Sequence, residues 1–119
     1  MIRCTYKKLP LWYQEMFVKL LSENFPGKKE IQSQIESADF EILDNNKGLY
    51  IFPTINVIAP VVQTIPVEAI ADGEDGVYIE VLLYTSNKKA MYLEILKADG
   101  SEVIMLPTID NFQVMVLNG

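Results

Sequence analysis

The chain has 119 residues, half of them apolar, with ten Lys/Arg against sixteen Asp/Glu and no histidine. That length and apolar content allow a core without staples and place the chain among globular proteins, as a single domain over residues 1–119. The missing histidine excludes Ser-His-Asp and Cys-His catalysis, histidine zinc sites and histidine pH switching, and the lone Cys4 excludes an intrachain disulfide and favours a reducing compartment.

The formal charge of −6 is unevenly spread. Residues 1–38 hold six Lys/Arg and four Asp/Glu, a net +2; residues 39–119 hold four and twelve, a net −8. An acidic second part argues against nucleic acid as a ligand, because phosphate contacts need clustered Lys/Arg. It accords with a basic protein partner, whose encounter it would speed, and equally with plain solubility. Gln14, Glu15 and Lys19 interrupt the first apolar run, which therefore does not read as an export signal. No stretch approaches the roughly 18 apolar residues of a membrane span. The expected location is cytoplasmic.

In chain order, Pro10 opens a helix running to about Ser22, with Trp12, Tyr13, Met16, Phe17, Leu20 and Leu21 on its apolar stripe. Pro26 and Gly27 end it. A second helix follows over about Lys28–Ala38, with Ile31, Ile35 and Ala38 on a thin seam and Gln34 among the residues of its polar faces. Asp39–Leu43 and Gly48–Phe52 alternate around Asp44-Asn45-Asn46-Lys47-Gly48 and read as a hairpin. Pro53, Pro60 and Pro66 divide the next segment, so edge or bulged strands are expected near Asn56–Ala59 and Val61–Ile70.

The clearest pattern is a three-stranded antiparallel meander of Val77–Tyr84, Ala90–Lys97 and Glu102–Leu106. Its odd positions, Val77, Ile79, Val81, Leu83, Met91, Leu93 and Ile95, form the expected core face under the helices. Pairing Tyr84 with Lys88 keeps Glu80 from facing Glu94, which favours that register, with Glu80 beside Tyr92 and Tyr78 beside Glu94. Asp99-Gly100 is expected to make a type I′ turn aligning Lys97 with Glu102. A last strand covers Phe112–Leu117. The fold class is therefore α+β: two N-terminal helices packed on one face of a mainly antiparallel β-sheet of five to seven strands, with a C-terminal β-meander.

The even face of the meander carries the candidate partner-binding residues Tyr78, Glu80, Tyr84, Tyr92 and Glu94, beside Leu82, Leu96, Val103 and Met105. Tyrosines among carboxylates on an apolar background have the composition of an interface core, although tyrosine is also a good strand former. Glu80 and Glu94 are the one carboxylate pair placed on a rigid surface, but no nucleophile, metal pattern or basic anchor accompanies them. Asp72-Gly-Glu-Asp-Gly76 lacks the ligand spacing of a calcium loop and reads as an acidic turn. No catalytic residue, metal or cofactor is assigned.

Phe25-Pro-Gly27, Ile31-Gln-Ser-Gln-Ile35, Gly48-Leu-Tyr-Ile51, Asp75-Gly-Val-Tyr-Ile-Glu80 and Tyr92-Leu-Glu-Ile-Leu-Lys-Ala-Asp-Gly100 together resemble a family of small bacterial proteins of unknown function. Some such families are similar to toxin-immunity proteins. The resemblance implies an α+β fold with both helices on one sheet face and brings no catalytic residues; the three prolines of the middle segment depart from the family's pattern. The leading expectation is a non-enzymatic module that binds a basic protein, such as an immunity-type inhibitor of a basic toxin. The alternatives are a structural homodimer through the same face, and a small-molecule binder or cryptic enzyme with a pocket between helix and sheet.

Overall fold

A computed structural model describes residues 2–117. Leu11–Leu20 (α1) and Lys28–Glu36 (α2) precede most of the strands. The strands are β1 (Cys4–Thr5), β2 (Asp39–Ile42), β3 (Gly48–Phe52), β4 (Val67–Asp72), β5 (Tyr78–Ser86), β6 (Lys89–Lys97) and β7 (Gln113–Val116). They form one antiparallel sheet in the order β1-β2-β3-β6-β5-β4-β7. The thinnest dimension is 22 Å, which has room for one helix layer on one sheet and no more. The expected α+β class holds, with both helices on one face.

The helices bury the stripes that their spacing dictates. Tyr13, Met16, Phe17 and Leu20 of α1 and Ile31 and Ile35 of α2 lie against Phe40, Leu49, Val67, Val81, Leu83 and Leu93 of the sheet. Phe17 and Phe40 meet with ring centroids 5.8 Å apart. Gly27, at φ 89°, turns the chain between the two helices. Gly48 is equally constrained: at φ 115° a Cβ would lie 1.8 Å from the Leu93 carbonyl oxygen.

Gln34 is not on a polar face of α2. It is wholly buried, because with Ile31, Ile35 and Ala38 it completes the i, i+3, i+4, i+7 stripe. Its carboxamide nitrogen donates to the carbonyls of Val57 (2.7 Å) and Lys88 (3.2 Å), and its oxygen accepts the Ala90 N–H at 2.7 Å. One side chain thus ties α2 to the crossover from β3 to β4 and to the β5–β6 turn.

That crossover, residues 53–66, contains no strand, contrary to the piece expected near Asn56–Ala59; of the piece expected near Val61–Ile70 only Val67–Ile70 is strand, as the start of β4. Its backbone is satisfied elsewhere: the Ala59 N–H donates to Lys88, and the Thr64 carbonyl accepts the Thr85 N–H at 2.7 Å. Pro66 stands just before β4, which lies inside the sheet between β5 and β7 rather than at its edge.

The meander consists of β4, β5 and β6, one strand earlier than its expected position. Residues 102–106 are not a strand. The reason is topological: β6 has β5 on one side and β3 on the other, with the Ile95 N–H donating to Lys47, so no edge is left. Asp99 has no positive φ, so the type I′ turn is not made; Ser101 instead donates its N–H to Asp99 Oδ1 at 2.9 Å in a local turn. The chain then crosses the helix side. There Val103 is buried, its carbonyl accepting from Asn46 Nδ2 (3.0 Å), and the Pro107 carbonyl accepts from Trp12 Nε1 (2.9 Å).

The β5–β6 register also differs from expectation. Tyr84 pairs with Tyr92, Leu82 with Glu94 and Glu80 with Leu96, while Thr85 pairs with Ala90. Met91 is left over as a β-bulge. The turn is Asn87-Lys88, both residues at positive φ (52° and 62°), as a two-residue type I′ hairpin requires. A lysine is costly there, and its carbonyl is held by Ala59 and Gln34. The bulge shifts the pairing by one residue, which the expected Tyr84–Lys88 register does not allow.

Replacing Gln34 by alanine strands the Ala90 N–H and opens a void. Urea unfolding is expected to show a loss of about 3 kcal/mol, whereas Gln32→Ala on the exposed side of α2 changes stability by less than about 0.5 kcal/mol.

Candidate functional site

Because all the helical material lies on one side, the other side of the sheet is left open by the described residues. Cross-strand partners point to the same side, so the register assigns that face without further assumption. Its central row runs Glu41, Tyr50, Tyr92, Tyr84 across β2, β3, β6 and β5. The next row is Glu94, Leu82, Glu68, Met115 and the one after it Leu96, Glu80, Ile70, Gln113.

Of the five residues expected to act together, four are gathered. Tyr84 and Tyr92 stack at 5.8 Å between ring centroids, and the Tyr84 hydroxyl donates to Glu94 Oε1 at 3.1 Å. Glu80 stands one row beyond Glu94 on the neighbouring strand, diagonal to it rather than beside Tyr92. Tyr78 is separate. It lies six residues from Tyr84 along β5, roughly 20 Å away, and pairs with Asp72 rather than with Glu94. Val103 and Met105 are not on this face at all, since their segment crosses the helix side.

Tyr50 is the member that sequence reasoning missed. Its ring lies 5.2 Å from that of Tyr92 and extends the pair to a ladder of three. Its alternation with Leu49 and Ile51 shows which side of β3 it occupies, but only the β3–β6 pairing shows what it joins.

Electrostatically the face is predominantly acidic. Among the described residues Asp39, Glu41, Glu68, Asp72, Glu80 and Glu94 point to it from strand positions, against Lys89 and, at the margin, Arg3. Burial, and then the nearby Glu80, raise the Glu68 carboxyl above its ordinary value. Tyr84 and Tyr92 are raised by burial first and by Glu94 next, so their hydroxyls stay protonated donors at neutral pH. The face therefore offers ring surfaces, phenolic O–H donors and carboxylate acceptors. Those are the groups that hold a guanidinium or ammonium ion. At its margin the chain supplies an example of its own: the Arg3 guanidinium carbon lies 3.7 Å from the centre of the Phe52 ring.

A groove of about 440 Å³ borders the face beside β6, lined by Tyr92, Glu94 and Leu96 together with the β2–β3 turn at residues 45–47 and the returning segment 100–103. Among the described residues no group of three or more His, Cys, Asp or Glu side chains could hold a metal ion. Cys4 is half-buried, and burial followed by the Asp39 charge pushes its thiol up, away from the reactive thiolate. No described helix is long and apolar enough to cross a membrane. In comparisons with known proteins, no family model, curated sequence or solved structure matches the chain.

A raised carboxyl binds its proton more readily in the folded state, so its contribution to stability falls as pH rises through the window above 4.5. Glu68→Gln is therefore expected to raise the melting temperature at neutral pH. The gain should fade to nothing below that window; a gain that persists in acid would contradict the assignment.

Proposed function

We propose that the protein is a non-enzymatic binding module whose open sheet face docks a basic protein partner. The observation that carries this reading is the Tyr50–Tyr92–Tyr84 ladder, bordered by Glu94, Glu80 and Glu68 on a face that no helix covers. Aromatic anchors on a rigid sheet lose little conformational freedom on binding, and the surrounding carboxylates supply long-range attraction and choice of partner. The net −8 of residues 39–119 adds a field of the same sign. An immunity-type inhibitor of a basic toxin is the most concrete form of this function, and it agrees with the resemblance in the strand and turn motifs. A cytoplasmic setting belongs to the same reading, supported by a single cysteine held as a free thiol.

Pairing two copies through this same face is disfavoured by its charge, since six carboxylates of one copy would meet six of the other.

The test starts from a basic protein co-purified from the producing cell or encoded beside this chain, and measures the purified pair by calorimetry. Substituting Tyr50, Glu80 and Tyr92 together by alanine is expected to weaken binding by at least ~100-fold. Raising the ionic strength is expected to slow association of the unaltered protein. Undiminished affinity of the triple variant sinks the site assignment.

A further inference from the structure

The two edges of the sheet are built differently. β1 is two residues long, with Arg3 before it and Lys7 and Lys8 after it, which blunts that edge against pairing. β7 carries Gln-Val-Met-Val, with no charge, proline or bulge. The direction of its free groups follows from the hydrogen bonds of the whole sheet. Leu117 donates its N–H to Pro66 at 3.0 Å, and the Ala98 to Tyr78 bond at 2.8 Å gives the same alternation when counted across β5 and β4. Gln113 and Met115 therefore face β4, while the N–H and C=O of Val114 and Val116 point away from the sheet.

We infer that β7 pairs with β7 of a second copy, antiparallel, about a two-fold axis through Met115. In that register Val114 of each copy exchanges both backbone bonds with Val116 of the other, which makes four hydrogen bonds. Met115 meets its own counterpart in the close, non-hydrogen-bonded position, and Gln113 lies beside the other copy's Leu117. Residues brought together share a face, so the apolar row stays on the core side. Val114 and Val116 already pack against the core, and the pairing extends it across the junction. Met115 is 45 % exposed and Leu117 37 % in the isolated chain, and both are covered in the pair. No charge is brought near another across this strand pair, which is what a strand recognising its own copy requires. Because the axis is perpendicular to the sheet, both acidic faces end on the same side and stay open. This pairing stands independently of the docking proposal.

Sedimentation and light scattering over a range of protein concentration are expected to show a mass that doubles as concentration rises. Met115→Lys sets two like charges opposite each other and is expected to weaken the dimer at least ~tenfold without changing the circular dichroism of the monomer. In a Cys4→Ser background, Met115→Cys is expected to form an interchain disulfide under mild oxidation, whereas Gln113→Cys is not. A mass that stays monomeric at the highest soluble concentration overturns the inference. So does a dimer that Met115→Lys leaves intact, or one in which the Gln113→Cys protein crosslinks and the Met115→Cys protein does not.

Discussion

The buried carboxamide of Gln34 is the contact on which the arrangement of the two layers depends. A sheet whose strands run in the order β1-β2-β3-β6-β5-β4-β7 must carry its chain from β3 past β6 and β5 before β4 can begin. That passage is a proline-broken segment with little hydrogen bonding of its own beyond the Val61 N–H to the Ala59 carbonyl, and it lies partly inside the core, where Ala59 is fully buried. Unpaired backbone groups at such depth are costly. Gln34 satisfies one of them directly and, through Lys88 and Ala90, holds the hairpin turn to which Ala59 is also bonded. Helix, crossover and hairpin are positioned by the same few polar atoms.

One consequence is that the two faces of the sheet are free to follow different chemistry. All apolar covering is supplied from the side of α1, α2 and the returning segment around Val103. The opposite side owes nothing to the core except Leu82, which is 8 % exposed among its polar neighbours. It can hold six like charges, because they share a broad solvated surface and not a buried site.

Much of the fold was legible in local pattern. The stripe on α1, the Asn-rich hairpin and the alternation of the last strand each follow from a spacing rule and the residues that satisfy it. What was not legible depends on partners distant in sequence. Nothing near Glu102–Leu106 reveals that β3 has taken the edge of β6 that a third meander strand needs. Nothing near Tyr50 reveals that Tyr92 will lie beside it. Gln34 is a different case, since the stripe rule points to its position and only its polarity argues against burial. The turn at Asn87-Lys88 lacks the glycine that marks most turns of its type, and its conformation is held by hydrogen bonds from residues about 30 and 54 positions earlier.

The bulge at Met91 sets a rule about the length of this chain. Ala90 and Leu93 both face the core although they stand three positions apart, which an unbroken strand forbids. Met91 is the extra residue: losing it would leave Ala90 and Leu93 two positions apart and both inward, with Tyr92 and Glu94 still on the acidic face. A residue lost between Tyr92 and Ile95, where the pairing is unbroken, would instead turn the rest of β6 over and exchange core and acidic surface. The segment after Lys97, which leaves the sheet, is under no such parity. Natural variation in length can therefore accumulate between residues 98 and 102 and be absorbed at the Met91 bulge, while the stretch from Tyr92 to Lys97 keeps its number.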